Sequence, residues 1–381
     1  PCMNGELRKA INAKAHIKRK IDNRGRKDLK PSFNTLRNKV TALKRRSISN
    51  FLTNNCEQNA DPKKFWDTIT PFFSEQNLPR NDYITLREGD EITSDPINVS
   101  TIFNDYFVNV AKDIPSVELS GDISISDIKQ AFSEHSSIKA IKENIPTDKH
   151  FKFRHVPENV VLSKLKKLDS SKSAGQDNVS AKILKMSAPY IYRNITYIFN
   201  TCIDQQVFPQ SLKLTEVTPA YKKKDRLNKT NFRPISVLTI LSKLFEDIYC
   251  DQLKAYLYDL LSDRLAAYKK GIGCPQVLLR CIEDWKKALD KGLHVAAILM
   301  DLSKAFDALP HPLLIAKLSA YGVGDDACSF ILDYLSNRQQ RVKIGSARSE
   351  WKFLTRGVPQ GSIAGPLLFN AFMNDLFFVI N

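Results

Sequence analysis

Six successive apolar residues, Val295-Ala-Ala-Ile-Leu-Met300, run directly into Asp301. An unbroken apolar run of this length suits a strand buried on both faces, and such a strand would carry Asp301 to its exposed end on a rigid frame. A carboxylate held there can bind a hard cation, because Mg²⁺ prefers oxygen ligands in fixed positions. The same aspartate would serve equally well as the N-cap of a helix starting in the following Leu-Ser-Lys-Ala-Phe-Asp307. This stretch alone leaves both uses open.

Charge narrows the class of partner. The 381 residues carry a net charge of +16, which suits a polyanion. Residues 1–50 hold 15 Lys/Arg against Glu6, Asp22 and Asp28, so +12 lies in a basic arm and only +4 in the other 331 residues. Lys44-Arg45-Arg46 is its densest cluster, readable either as a solvated helix face or as a nucleic-acid contact. The seven cysteines are scattered without a Cys-x-x-Cys pair, which implies reduced thiols, an intracellular protein and no zinc knuckle. No apolar run approaches the ~18–20 residues of a membrane span. Pro1 stands where an initiator Met would, and no signal peptide is readable. Both ends therefore read as cut points.

The elements that must position Asp301 follow from periodicity. Residues 6–29 and 33–57 read as basic helices separated at Lys30-Pro31-Ser32. Residues 61–155 mix short helical patterns with loops, and Ile97 to Val110 has the spacing of an amphipathic helix whose aromatics pack into a core. Helical spacing then covers 158–168, 180–203, 236–260, 274–290, 312–319 and 325–336. Strand-like runs lie at 213–221, 294–301, 341–344 and 351–355, with hairpin character at Ile344-Gly345-Ser346-Ala347. With 43% hydrophobic residues to build a core, the expected class is α+β.

Three stretches resemble one family in order and spacing. Asp301-Leu-Ser-Lys-Ala-Phe-Asp307 resembles the first palm motif of LINE-type (non-LTR) retrotransposon reverse transcriptases. Gly357-Val-Pro-Gln-Gly-Ser-Ile-Ala-Gly-Pro366 resembles their second palm motif. Val217 to Arg226 and Asn231-Phe-Arg-Pro-Ile-Ser236 are similar to their fingers motif. The resemblance is strong over 156–381 and weaker over 1–155.

The resemblance implies a right-hand polymerase: a basic helical arm (1–60), a connector from an upstream endonuclease (61–155), fingers (156–290) and a partial palm (291–381), with the thumb absent. It implies RNA-directed DNA polymerase chemistry with template RNA, a DNA primer or target, deoxynucleoside triphosphates and two Mg²⁺ ions, and a nuclear site of action for the parent element. Asp301 would be the first metal-binding aspartate, with the Leu302 carbonyl as a second ligand. Phe306 would lie under the nucleotide sugar and exclude a ribose 2′-hydroxyl, while Asp307 would be structural. Arg233 would bind the triphosphate, with Lys222 or Lys223 (or their neighbour Lys224) as a second contact. Gln360 and Gly361 would approach the nascent base pair, Gly357 and Gly365 would serve turn geometry, and Arg338 and Arg341 would meet template phosphate. Ala364 and Leu309-Pro-His311 depart from the family wording as packing variants. The family's next motif, two adjacent aspartates, is not present in these residues. Asp375, inside the second-motif helix, is no substitute, so the chain as given is expected to be inactive. The alternative is a non-catalytic nucleic-acid-binding relic.

Overall fold

The computed structural model describes residues 3–24, 26–56, 84–115, 123–146, 148–269, 271–302 and 304–379. They form two compact units, Pro1–Asn81 and Asp82–Asn381. The first contains helix α1 (Gly5–Arg24) packed against α2 (Lys30–Cys56). The Asn4 carboxamide oxygen accepts from the Leu7 N–H at 2.8 Å and so caps α1. Pro31 does not end a helix. It occupies the first turn of α2, where its missing N–H costs nothing.

The second unit starts with a small hairpin, β1 (Leu86–Glu88) and β2 (Glu91–Thr93), then α3 (Pro96–Asn109), α4 (Ile125–Ala131) and α5 (Ser136–Asn144). It continues through α6 (Glu158–Lys166), α7 (Ala181–Gln205), β3 (Leu214–Tyr221), β4 (Phe232–Val237), α8 (Ile240–Leu257) and α9 (Cys274–Asp290). The remaining elements are α10 (His311–Ala320), α11 (Asp325–Leu335), β5 (Gln339–Ile344), β6 (Ala347–Arg348), β7 (Lys352–Phe353), α12 (Ala364–Met373) and α13 (Leu376–Val379). The class is α+β, as expected.

The main sheet runs β4-β3-β5-β6, with β7 also on β5. β3 and β5 are parallel, and the other pairs are antiparallel. On one face, Phe103 and Phe107 of α3 pack with Leu86, Val217, Phe232, Val342 and Ile344. The aromatics of α3 are therefore core residues. They also join residues 84–115 to the sheet, within the unit Asp82–Asn381. A larger core gathers α4 through α8 with α10, α11 and α12.

Residues 294–301 are a correction. They form no strand: Ile298, Leu299 and Met300 are 87%, 96% and 80% exposed. A buried strand needs ladder partners on its edges and cover on its faces. Among the described residues no strand pairs with this run. The helix expected over 236–260 also begins later, at Ile240, because residues up to Val237 belong to β4 and the Thr239 hydroxyl caps the helix at Ser242 N–H.

Candidate active site

The three motif stretches meet through backbone hydrogen bonds. Val358 N–H donates to Phe306 O at 2.8 Å, and Gly357 N–H donates to Leu309 O at 2.8 Å. Gly357 has φ +79°, and a Cβ there would lie 2.7 Å from Phe306 O and 2.8 Å from Asp307 O. Close approach of two backbones thus adds to the turn geometry expected of this glycine. His311 completes the junction by donating from Nε2 to Gly357 O at 2.7 Å. A carbonyl can only accept, so the proton sits on Nε2. Burial holds this imidazole neutral, its pKa lowered to about 4. Leu309-Pro-His311 is therefore a brace, with a hydrogen bond in addition to its packing.

The Pro-Gln-Gly turn is pinned on its other side by β4. Ser236 N–H donates to Gln360 O at 2.8 Å, and a Cβ on Gly361 (φ +122°) would lie 2.8 Å from Ser236 O. The Gln360 amide nitrogen donates to both Asp307 oxygens, at 2.9 and 2.8 Å. Burial pushes the Asp307 carboxyl up to about 6, against the pull of Gln360 and Lys304.

These junctions surround an open cleft of about 680 Å³ whose walls include Lys222, Arg233, Asp301, Leu302, Phe306 and Gln360. Arg233 is exposed on β4. Phe306 stacks on Phe369 (centroids 5.0 Å apart) and meets Tyr268 edge-on. Of the three adjacent lysines, Lys222 lines the cleft, while Lys223 and Lys224 are not on its wall. Gly361 stands beside it, held on Ser236. Lys222 and Arg233 line the cleft from the β3–β4 side, and Asp301, Lys304 and the Phe306 ring line it from the other.

Mg²⁺ fits this set only in part. Asp301 and Asp307 are the carboxylates on the cleft wall, and Asp307 is engaged by Gln360. Among the described residues no three His, Cys, Asp or Glu side chains gather as a metal site. A pair of Mg²⁺ ions needs more carboxylate than these residues supply. Asp375 does not add to it, because it lies just past α12 and is paired with Lys317 at 2.7 Å.

The two arginines expected on template differ. Arg338 is 1% exposed. It lies over the Tyr334 ring and donates to Tyr334 O at 3.1 Å, capping the C-terminus of α11. An arginine turned into the core has no face for phosphate, so that assignment is corrected. Arg341 is partly exposed but committed: it pairs with Glu216 at 2.6 Å and stacks on Trp351. Lys44, Arg45 and Arg46 are exposed on α2.

Glu246 escaped the sequence reading. It is fully buried on α8, accepts from Tyr334 Oη at 2.8 Å and from Ile363 N–H at 2.6 Å, and so holds the start of the second-motif helix α12. Burial raises its pKa, while Arg338 and the Ile363 N–H pull it back down. The signal was available: of the adjacent acids Glu246 and Asp247, Glu246 is the one at helical spacing from Tyr249, Cys250 and Leu253 on the buried face of its helix.

Residues 221–381 match the family model described as reverse transcriptase (RNA-dependent DNA polymerase). The chain is 29% identical over 225 residues to the probable RNA-directed DNA polymerase from transposon BS of Drosophila melanogaster, covering 57% of this chain and 24% of that protein. It is 25% identical over 255 residues to the RNA-directed DNA polymerase from mobile element jockey of Drosophila funebris, covering 65% and 27%. A third relative is the probable RNA-directed DNA polymerase from transposon X-element of Drosophila melanogaster, 27% identical over 54% of this chain and 23% of its own length. The chain spans about a quarter of the length of these curated relatives. Among the described residues no helix is long and apolar enough to cross a membrane.

Proposed function

Because the chain belongs to the reverse transcriptases of non-LTR retrotransposons, we propose that its cleft binds the incoming deoxynucleoside triphosphate for addition to a DNA 3′-hydroxyl on an RNA template. The observation that carries this reading is the convergence of Lys222, Arg233, Asp301, Leu302, Phe306 and Gln360 on one cleft from three separate stretches. Arg233 offers a planar fork of donors to phosphate oxygens and keeps its charge at any working pH. Lys222 adds a second cation. Phe306, fixed by Phe369 and Tyr268, is the surface for the sugar, where its bulk excludes a 2′-hydroxyl. Gln360 and Gly361 face the nascent pair. Asp301 and the Leu302 carbonyl would hold one Mg²⁺, which when bound supplies charge neutralisation for nucleotidyl transfer. Residues 156–290 then correspond to fingers and 291–381 to part of a palm. The basic helices of residues 1–60 act on nucleic-acid phosphates, with the nucleus as the place of action.

The test is titration of the 381-residue chain with thymidine triphosphate in Mg²⁺. Arg233→Ala should weaken binding about ten- to a hundredfold, as expected for loss of one charge-assisted contact of about 1.5–3 kcal/mol. Equal affinity in parent and variant would refute the assignment of this cleft.

A second reading, binding without catalysis, is favoured for this chain by itself, because its described residues leave Asp301 as the one cleft carboxylate not already engaged by a protein partner. Primer extension by the purified chain should be undetectable while its salt-dependent affinity for RNA or DNA is retained.

A further inference from the structure

Helix α7 buries one side and bares the other. Leu184, Ala188, Ile195 and Phe199 go into the core. On the opposite side Ile183, Met186, Tyr190 and Tyr197 follow at steps of three, four and seven residues, which brings them onto one stripe. Tyr190 is 84% and Tyr197 74% exposed, Ile183 and Met186 are each more than half exposed, and Ile198 widens the stripe. Single exposed apolar side chains are ordinary on a protein surface. Five together make a patch of roughly 700 Å², more than a monomer usually leaves bare. The nucleotide cleft does not use it, since no residue of α7 lines that cleft.

We propose that this stripe is the contact between two copies of the chain, their α7 helices lying antiparallel across a two-fold axis at Tyr190. Area, symmetry and charge each favour a second copy. A standard interface buries about 800 Å² per partner, close to what the stripe offers. Ile183 lies seven residues before Tyr190 and Tyr197 seven after. Antiparallel pairing therefore sets each Ile183 on Tyr197 of the second copy, and Tyr190 on its own counterpart, as a self-complementary contact requires. The cations at the edge of the stripe are Lys182 and Arg193. Antiparallel pairing lays Lys182 over the Tyr197 ring of the second copy and the Arg193 stem beside its Met186, so no cation meets a cation. Parallel pairing would set each cation against its own counterpart. The Arg193 head is also drawn aside, by Glu158 at 3.5 Å and the Tyr192 hydroxyl at 3.0 Å. Tyrosine and methionine are side chains that interfaces favour.

The experiment is sedimentation velocity of the 381-residue chain, treated with nuclease and held at high salt so that the basic arm carries no nucleic acid. The parent should reach a dimer as its concentration rises. Tyr190→Lys, which sets two like charges together on the axis, should weaken that dimer about thirtyfold or more, as loss of a central aromatic does. Its thermal melt should match the parent's, because the residue is on the surface. Tyr190→Ser should weaken the dimer too, without adding charge. In Tyr190→Cys a short bis-maleimide should join residue 190 to residue 190, identified by peptide mapping. Lys185→Cys, on another side of α7, should not be joined to itself. A parent that stays monomeric at its highest soluble concentration would overturn the proposal. So would a dimer that Tyr190→Lys leaves intact, since the contact would then lie elsewhere, as on the exposed apolar residues of α9. Weaker oligonucleotide binding by Tyr190→Ser with no change in oligomeric state would overturn it as well, making the stripe a stacking surface for single-stranded nucleic acid.

Discussion

Residues 274–301 and residues 311–344 read alike in the sequence, each as helical periodicity followed by a strand-like run, yet they end in opposite surroundings. The second stretch buries Leu314, Ile315, Leu318, Phe330, Ile331 and Tyr334 and sends β5 into the sheet beside β3. In the first, α9 has no buried residue, Leu278, Leu279 and Leu289 face solvent, and the run ending at Met300 pairs with no strand among the described residues. Periodicity states which face of an element is apolar. It does not state what lies opposite. Between Asp301 and His311 the chain crosses from one condition to the other, and the candidate site lies at that crossing.

The widest separation should appear in amide hydrogen exchange. Amides of 295–300 should exchange at nearly unprotected rates, and those within α10 and α11 on the order of a thousandfold or more slower, because they open only with the core. Comparable protection in both stretches would erase the contrast. Stability should follow. Phe330→Ala should cost about 3–5 kcal/mol in denaturant unfolding, whereas Leu299→Ala should change it by no more than about 0.5 kcal/mol. Tyr334→Phe tests a finer feature of the packed side: the Glu246 carboxyl loses a donor while remaining buried, at a cost of about 1–3 kcal/mol.

The smallest effect concerns pH. His311 is depressed from its ordinary 6.5 to about 4, so protonation favours the unfolded chain. Its contribution to stability is complete above about 6.5 and is lost as pH falls toward 4. Asp307, raised from 3.8 to about 6, works in the opposite sense over most of that window. The measurement is therefore the difference in pH dependence between the parent and His311→Gln, in which the Asp307 contribution cancels. The parent should lose more stability than the variant on acidification from 6.5 to 4.

What the sequence made legible was mostly what depends on single elements. The helices of α3, α7 and α11 and the strand β3 could be placed from local pattern, whereas Arg233, Phe306 and Gln360 were singled out only by the family resemblance of their motifs. What stayed hidden depended on pairs. β4 was obscured by Pro234, which an edge strand tolerates and a central one does not. Arg338 looked like a surface cation because its use, capping α11 beside Tyr334, exists only once that helix ends against it. Residues 294–301 erred the other way: strand propensity was read as if it included a partner. Glu246 belongs with these, its meaning supplied by α12 more than a hundred residues later.

The parallel pairing of β3 with β5 has a consequence for how the protein is made. Glu216 and Arg341 meet across these strands although they are 125 positions apart in the chain. A ribosome adding about 5–20 residues per second needs roughly 6–25 s to deliver the second strand after the first has emerged. Throughout that interval the β3 edge that will receive β5 has no ladder partner from β5. Pairing at such separation is also slow to find by diffusion, since the loop must close before any contact rewards it. The nascent chain therefore passes through a period in which half-built sheet is open to wrong partners, and the yield of folded protein should depend on how that period is managed.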